Sequence, residues 1–313
     1  SDLICVWHQF IMIVEDKMDR EKRLKIAIQK SGRLADMSLQ LLEKSGIQLS
    51  KSRDQLLCRS QNFPLDVFLV RDDDIPAFLA TDVCQLGVLG QNVLHEKQAI
   101  DNGKFAGLKE ELALGYGRCR LSIAVPQGFA YDGITSLQGK TIATSYEGLL
   151  GAYLKANHID ADIVTMEGAV EVAPRTHLAD VICDLVSTGN TLISNGLVEK
   201  DVILQSEAVL VKNEISDPDI ARLCDKLMSR IKAVQRAANS RYIMLNSPID
   251  SLSAIKAVLP GSQSPTVMPL QGRDDMVAVH SVCEEGVFWD TMEDLKANGA
   301  NSILVVPIEK MLD

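Results

Sequence analysis

From Leu24 to Lys212 the chain alternates short apolar runs with stretches whose apolar positions recur at helical spacing. Brief runs rich in β-branched residues read as strands buried on both faces, and the stretches between them as helices packed on a parallel sheet. Residues 25–29 read as the first strand. Ser31-Gly32 then leads into a helix whose Leu34, Met37 and Leu41 share a face and which Gly46 ends. Residues 67–70 and 83–90 read as further strands, the second closing on Gly87-Val88-Leu89-Gly90-Gln91-Asn92, where small residues permit close approach of a nucleotide. Strands at 121–125, 140–144, 162–166 and around Asp184, with a helix at 148–156, make a second lobe, and 201–212 returns toward the first. A long helix over 218–238 carries Leu223, Leu227, Ile231 and Val234 on one face. Beyond it, strands at 241–246, 266–270, 276–283 and 302–307 and helices at 249–258 and 287–298 follow the order βαββαβ of a ferredoxin-like module. Phe288, Met292 and Leu295 are spaced to face its sheet.

The run from Ala179 to Leu192 carries the most chemistry. Val181, Ile182, Leu185 and Val186 read as a short buried strand that carries the carboxylate of Asp184 near its end, before a turn of Ser187, Thr188, Gly189, Asn190 and Thr191. Such a turn at a strand's carboxyl end aims backbone N–H groups at one point, adds hydroxyl donors, and at Gly189 leaves room for an oxyanion. Read alone, the five residues also fit an ordinary polar turn. Asp184 shifts the balance, since a carboxylate beside an anion site must serve a sugar hydroxyl or a metal ion. Phosphate, diol and metal together describe phosphoribosyl pyrophosphate.

Six segments in order carry a resemblance: 24–34, Val70-Arg71-Asp72-Asp73-Asp74-Ile75-Pro76, Ile142-Ala143-Thr144-Ser145-Tyr146, Glu171-Val172-Ala173-Pro174-Arg175, the turn above, and Ser302 to Met311. On these the chain resembles the long form of the ATP phosphoribosyltransferase family, which opens histidine biosynthesis, over nearly its whole length from Leu24. The resemblance implies a two-lobed α/β catalytic part similar to periplasmic binding proteins, followed by an ACT-like regulatory domain. The expected division is an N-terminal extension at 1–23, lobe I at 24–120 with 206–238, lobe II at 121–205 and the regulatory domain at 239–313. It implies a Mg²⁺-dependent transfer of phosphoribosyl to N1 of ATP, with pyrophosphate leaving and no covalent protein nucleophile. Glu171, Asp184 and Ser187–Thr191 are expected around phosphoribosyl pyrophosphate, with Glu171 and Asp184 also the candidate Mg²⁺ ligands. Lys30, Gly32, Arg33, Arg71, Asp72 and Gly90 are assigned to ATP or pyrophosphate. Histidine is the expected feedback inhibitor, bound within 239–313, AMP is a further nucleotide partner, and the expected assembly is a homo-oligomer, dimeric or hexameric. Two departures from the family pattern are Asn190, where a smaller residue is common, and Glu147, which places an extra negative charge near an anionic cleft.

Composition changes this picture in few places. At 313 residues, 46% hydrophobic and 24% charged, the chain is long enough for two or three domains. A net charge of −10 argues against nucleic acid, so anionic substrates must be met by local cations; Lys30, Arg33, Arg71, Arg118, Arg120 and Arg175 are the candidates, although each alone reads as a solvated surface charge. From Arg241 on, five Lys and Arg face ten Asp and Glu, which suits a ligand with a cationic amino group better than a polyphosphate. Seven cysteines without a CxxC pair and five histidines without metal-site spacing predict no zinc site or disulfide framework, and a surface role for His177. Residues 3–14 are apolar but too short to span a bilayer, so no membrane partner is expected and the location is cytoplasmic. Residues 1–17 read as an upstream extension dispensable for catalysis. Asp74 or a neighbouring aspartate reads equally as a helix N-cap. The alternative function, a two-lobed small-molecule binding protein without catalysis, shares the strand order but would not use Mg²⁺.

Overall fold

The computed structural model describes residues 22–50, 56–259, 264–284 and 288–312; the expectation for residues 1–17 falls outside these. The described residues through Gln40, with Ile47–Cys224, form one compact unit, and Leu41–Gly46 with the described residues from Asp225 on form another.

The first unit opens with β1 (Leu24–Gln29), α1 (Arg33–Lys44), β2 (Leu57–Arg59), β3 (Leu65–Val70), α2 (Ile75–Ala80), β4 (Leu86–Gly90), α3 (Gln91–Ile100) and β5 (Lys109–Ala113). Leu24, Ile26, Ala27 and Ile28 are fully buried, as the apolar positions of a strand covered on both faces should be. β1 runs parallel to β3 on one side and β4 on the other, with Gln29 opposite Val70 and Ile28 opposite Val88. The carboxyl ends of three neighbouring strands therefore share one sheet edge. β4 begins later than its sequence suggests because Asp82 takes φ 58° in a turn, leaving Val83 40% exposed. Asp72–Asp74 form a 3₁₀ turn leading into α2, and Asp74 makes no side-chain cap hydrogen bond, contrary to the N-cap expectation. Its backbone is already helical (φ −87°, ψ −22°), whereas a capping residue sits in the extended region.

The chain then builds a second sheet from β6 (Cys119–Pro126), β7 (Thr141–Thr144), α4 (Glu147–Ala156), β8 (Asp162–Thr165), β9 (Val181–Val186), α5 (Asn190–Ser194) and β10 (Leu197–Ser206). Its strand order is β10-β6-β9-β7-β8, with β7 parallel to β8 and β9. Leu121, Ile123, Leu137, Ile142, Leu150, Val181 and Cys183 fill one face, while Ala124, Ala143, Val170, Ala173, Ile182 and Leu192 fill the other. The return expected over 201–212 is made by two strands: β10 ends at Ser206 in the second sheet, and β11 (Ala208–Lys212) pairs with β4 and β5 in the first. Glu207 between them is held at both ends. Its carbonyl accepts from the Gln91 amide (3.0 Å) and its carboxylate from the Gly115 amide (2.8 Å).

After α6 (Pro218–Ala238) come β12 (Ser240–Pro248), α7 (Leu252–Val258), β13 (Thr266–Leu270), β14 (Arg273–Glu284), α8 (Phe288–Ala297) and β15 (Asn301–Pro307), in the expected βαββαβ order. The antiparallel sheet runs β13-β14-β12-β15 around Ile243, Leu245, Ile255, Val279 and Leu295. None of the six described cysteines forms a disulfide, and no helix among the described residues is long and apolar enough to cross a membrane.

One expectation about glycine is corrected. A Cβ at Gly87 would lie 2.7 Å from Ile75 Cγ2 and 3.0 Å from Leu79 Cδ1, so the missing side chain lets α2 pack on β4 rather than admitting a nucleotide. Gly87→Ala is therefore expected to destabilise the fold by about 1–3 kcal/mol through overpacking. A chemical-denaturation midpoint unchanged from the parent would contradict this packing role.

Candidate active site

The shared edge of the first sheet carries Lys30 directly after β1 and Arg71 directly after β3, and the Lys30 amide donates to the Val70 carbonyl at 2.7 Å. Gly32 (φ 93°) turns the chain into α1, whose first residue is Arg33. Lys30, Arg33 and Arg71 are exposed, and among the described residues none has a side-chain hydrogen bond or ion pair. Three unpaired cations beside the electropositive start of a twelve-residue helix make this edge a place for anions. Asp72 is half-buried in the 3₁₀ turn just beyond. Gly90 ends β4, and the position its Cβ would take lies 2.3 Å from Asn92 Oδ1, so its bareness accommodates a neighbouring side chain.

On the second sheet, Asp184 lies within β9, one residue past the Thr144–Cys183 pair, and the strand runs to Val186 with the loop beginning at Ser187, as the sequence predicts. The pairing with Ser122 on β6 extends the strand. Asp184 Oδ1 accepts from the Leu185 amide at 2.8 Å. Burial pushes its pKa up against that bond, and the negative charge of Glu171, on the 3₁₀ turn Val170–Val172, pushes it further. Two carboxylates close enough to feel each other, with a polar loop alongside, form a donor set that fits a Mg²⁺ ion sharing its shell with substrate phosphate and water.

The loop after β9 follows the expected outline. Gly189 takes φ 82° and begins the short helix α5 (Asn190–Ser194). Ser187, Thr188, Asn190 and Thr191 are exposed, and the hydroxyls of Ser187, Thr188 and Thr191 make no hydrogen bond among the described residues. Arg120 is not an available cation: its guanidinium grips Glu199 with two 2.5 Å hydrogen bonds and donates to the Ser187 carbonyl at 3.2 Å. It thus braces the loop's first residue from β6. Arg118 and Arg175 are exposed, the latter donating to the Ser194 carbonyl at 3.4 Å, and His177 is an exposed turn residue with φ 57°. Glu147 opens α4 and accepts from Thr165 Oγ1 at 2.5 Å, so its charge is engaged at a helix start, where a carboxylate is favoured.

Tyr146 links the two edges. Its hydroxyl accepts from Asn92 Nδ2 at 2.9 Å, and Asn92 in turn is bonded through Oδ1 and its amide to Ser206 Oγ (2.9 and 3.1 Å). Burial raises the tyrosine's pKa, and Asp184 from the second sheet and Asp73 from the first raise it further. The phenol stays protonated in the field of one carboxylate from each edge. Asn92 carries no sequence signal of this role, because on α3 its position reads as one more polar residue; Tyr146 at a strand's carboxyl end was the visible clue. Among the described residues no group of three or more His, Cys, Asp or Glu side chains gathers as a metal site.

Residues 71–233 match the family model for ATP phosphoribosyltransferase, and residues 237–310 match the model described as HisG, C-terminal domain. An ATP phosphoribosyltransferase of Maricaulis maris (strain MCS10) is 46% identical over 291 residues, covering 93% of this chain and 99% of that relative. Among solved structures, a chain of the ATP phosphoribosyl transferase (HisG:HisZ) complex from Thermotoga maritima is 28% identical, with a TM-score of 0.56 over 67% of this chain and 98% of its own.

Because the folded Asp184 carboxyl has its pKa raised, its ionised form opposes folding above that pKa, and the penalty disappears once both folded and unfolded states are protonated. Asp184→Asn should therefore raise the melting temperature at neutral pH. The gain should shrink as pH falls through the folded pKa toward the ordinary aspartate value of about 3.9. A melting temperature that is lowered at neutral pH would refute this.

Proposed function

The chain belongs to the ATP phosphoribosyltransferase family, in the long form with a C-terminal domain, and from that premise we propose how its residues divide the reaction. The enzyme uses ATP and phosphoribosyl pyrophosphate as substrates, and a two-lobed binding protein without catalysis is not favoured. Phosphoribosyltransferases in general need a divalent metal ion, here read as Mg²⁺.

In this reading the loop Ser187–Thr191 holds the 5′-phosphate with its hydroxyls and the amides at the start of α5. The observation that carries it is the loop's row of unpartnered donors beside the half-buried carboxylate of Asp184. Asp184 and Glu171 take the ribose hydroxyls and would be the protein ligands of Mg²⁺, which when bound supplies charge neutralisation to the departing pyrophosphate. Lys30, Arg33 and Arg71, with the backbone at Gly32 and Gly90, receive the nucleotide or pyrophosphate, and Asp72 lies beside them. N1 of adenine forms its bond to the anomeric carbon as the bond to pyrophosphate breaks, and the electron pair leaves with pyrophosphate. The sugar passes through a cationic state, so the protein's contribution is positioning and electrostatics, with no covalent nucleophile.

The domain reading follows: lobe I is 24–120 with 206–238, lobe II is 121–205, and 239–313 senses histidine as a feedback inhibitor. The separate core of the βαββαβ unit and its excess of acidic residues support that last assignment. AMP fits the nucleotide side, a homo-oligomer of dimer or hexamer size is the expected assembly, and the cytoplasm the expected location.

Mixing the protein with ATP, phosphoribosyl pyrophosphate and Mg²⁺ should release pyrophosphate and give the product's ultraviolet absorbance, suppressed by added histidine. Asp184→Ala or Gly189→Val should abolish turnover with the fold retained by circular dichroism. At Gly189 the loss combines about 1–2 kcal/mol of left-handed backbone strain with a side chain in the phosphate's path. Wild-type rates in either variant would remove the loop from the site, and turnover indifferent to histidine would remove the regulatory assignment.

A further inference from the structure

Glu96 lies midway along α3 with only 7% of its surface exposed. A carboxylate that deep is costly unless its oxygens are satisfied. Both are: Oε1 accepts from the Gly148 amide and Oε2 from the Leu149 amide, each at 2.8 Å. Those amides belong to the first turn of α4, where a helix's own carbonyls cannot reach them, and the N-cap residue Tyr146 makes no side-chain cap bond. A side chain on a helix of the first sheet thus caps a helix of the second, with its charge at the positive end of the helix dipole.

Two neighbouring features tighten the contact. A Cβ at Gly148 would lie 2.9 Å from Ile100 Cγ1, 3.0 Å from Ala99 Cβ and 3.2 Å from the Glu96 carbonyl, so only glycine lets α3 and α4 approach this closely. Asn92 sits one turn before Glu96 on the same face and holds the Tyr146 hydroxyl. One face of α3 therefore grips both the residue that ends the β7 edge and the helix that follows it.

We propose that Glu96 is a positioning residue that fixes the angle between the two sheets, setting how far the cations at 30, 33 and 71 stand from the 187–191 loop. It touches neither substrate. The kinetic part rests on the function proposed above; the contact itself does not. Glu96→Gln replaces one accepting oxygen with an amide donor that faces another donor, whereas Glu96→Asp keeps the charge.

The test compares full-length wild type, Glu96→Gln and Glu96→Asp by amide hydrogen exchange without substrates, and by steady-state kinetics. Glu96→Gln should speed exchange of the Gly148 and Leu149 amides about ten-fold or more, with β1 and β9 unchanged and a partial return in Glu96→Asp. KM for ATP and for phosphoribosyl pyrophosphate should rise together, roughly five-fold or more, while kcat changes less. Should Glu96→Gln fail to fold, Gly148→Ala moves the helices apart with the carboxylate in place and should give the same paired rise. Unchanged exchange at 148–149 overturns the proposal, as does faster exchange with both KM values at wild type, or a rise for one substrate alone. A wild-type protein without transferase activity would refute the function reading and leave the exchange comparison to decide the contact.

Discussion

A buried chain of hydrogen bonds from Ser206 through Asn92 to Tyr146 joins the two sheets, and both halves of the candidate site depend on it. Each half is only a strand edge: one offers unpaired cations, the other a carboxylate and a polar loop. What ties the two edges together is that polar side chains at the crossing are bonded to one another, which in a low-dielectric interior specifies one arrangement over looser ones. The backbone contributes as well, since Glu207 is fastened through its carbonyl and its carboxylate where β10 gives way to β11.

Much of the fold was legible because its signals are local. Short apolar runs such as Ile26-Ala27-Ile28 read as buried strand, and the face made by Leu227, Ile231 and Val234 reads as a helix against a core. The loop at 187–191 was legible for a related reason, as glycine and hydroxyls after a strand leave few conformations. The misses share a physical cause, which is contact between residues far apart in sequence. Arg120 reads as a free cation until Glu199, seventy-nine residues on, appears beside it. Gly87 reads as room for a ligand until Ile75 and Leu79 fill the space.

The electrostatics follow a similar division between local and global. In a chain of net charge −10, cations that stay free to meet an anion are those the fold does not neutralise. Arg23 and Arg120 are consumed by structure, one on Asp66 and one on Glu199, while Lys30, Arg33 and Arg71 stay unpaired among the described residues. Across from them, burial and Glu171 hold Asp184 in an environment that disfavours its own charge. Strongly perturbed carboxylates of this kind cluster at functional sites.

The fit of Asn92 Oδ1 into the space a Cβ would fill at Gly90 has a consequence for how such a sequence can drift. Any side chain at 90 must first evict the amide at 92, and evicting it breaks the bonds to Ser206 and Tyr146 together. The two positions are thus epistatic: a change at 90 becomes tolerable only on a background where 92 has already shortened, and mutational paths that reverse that order are closed.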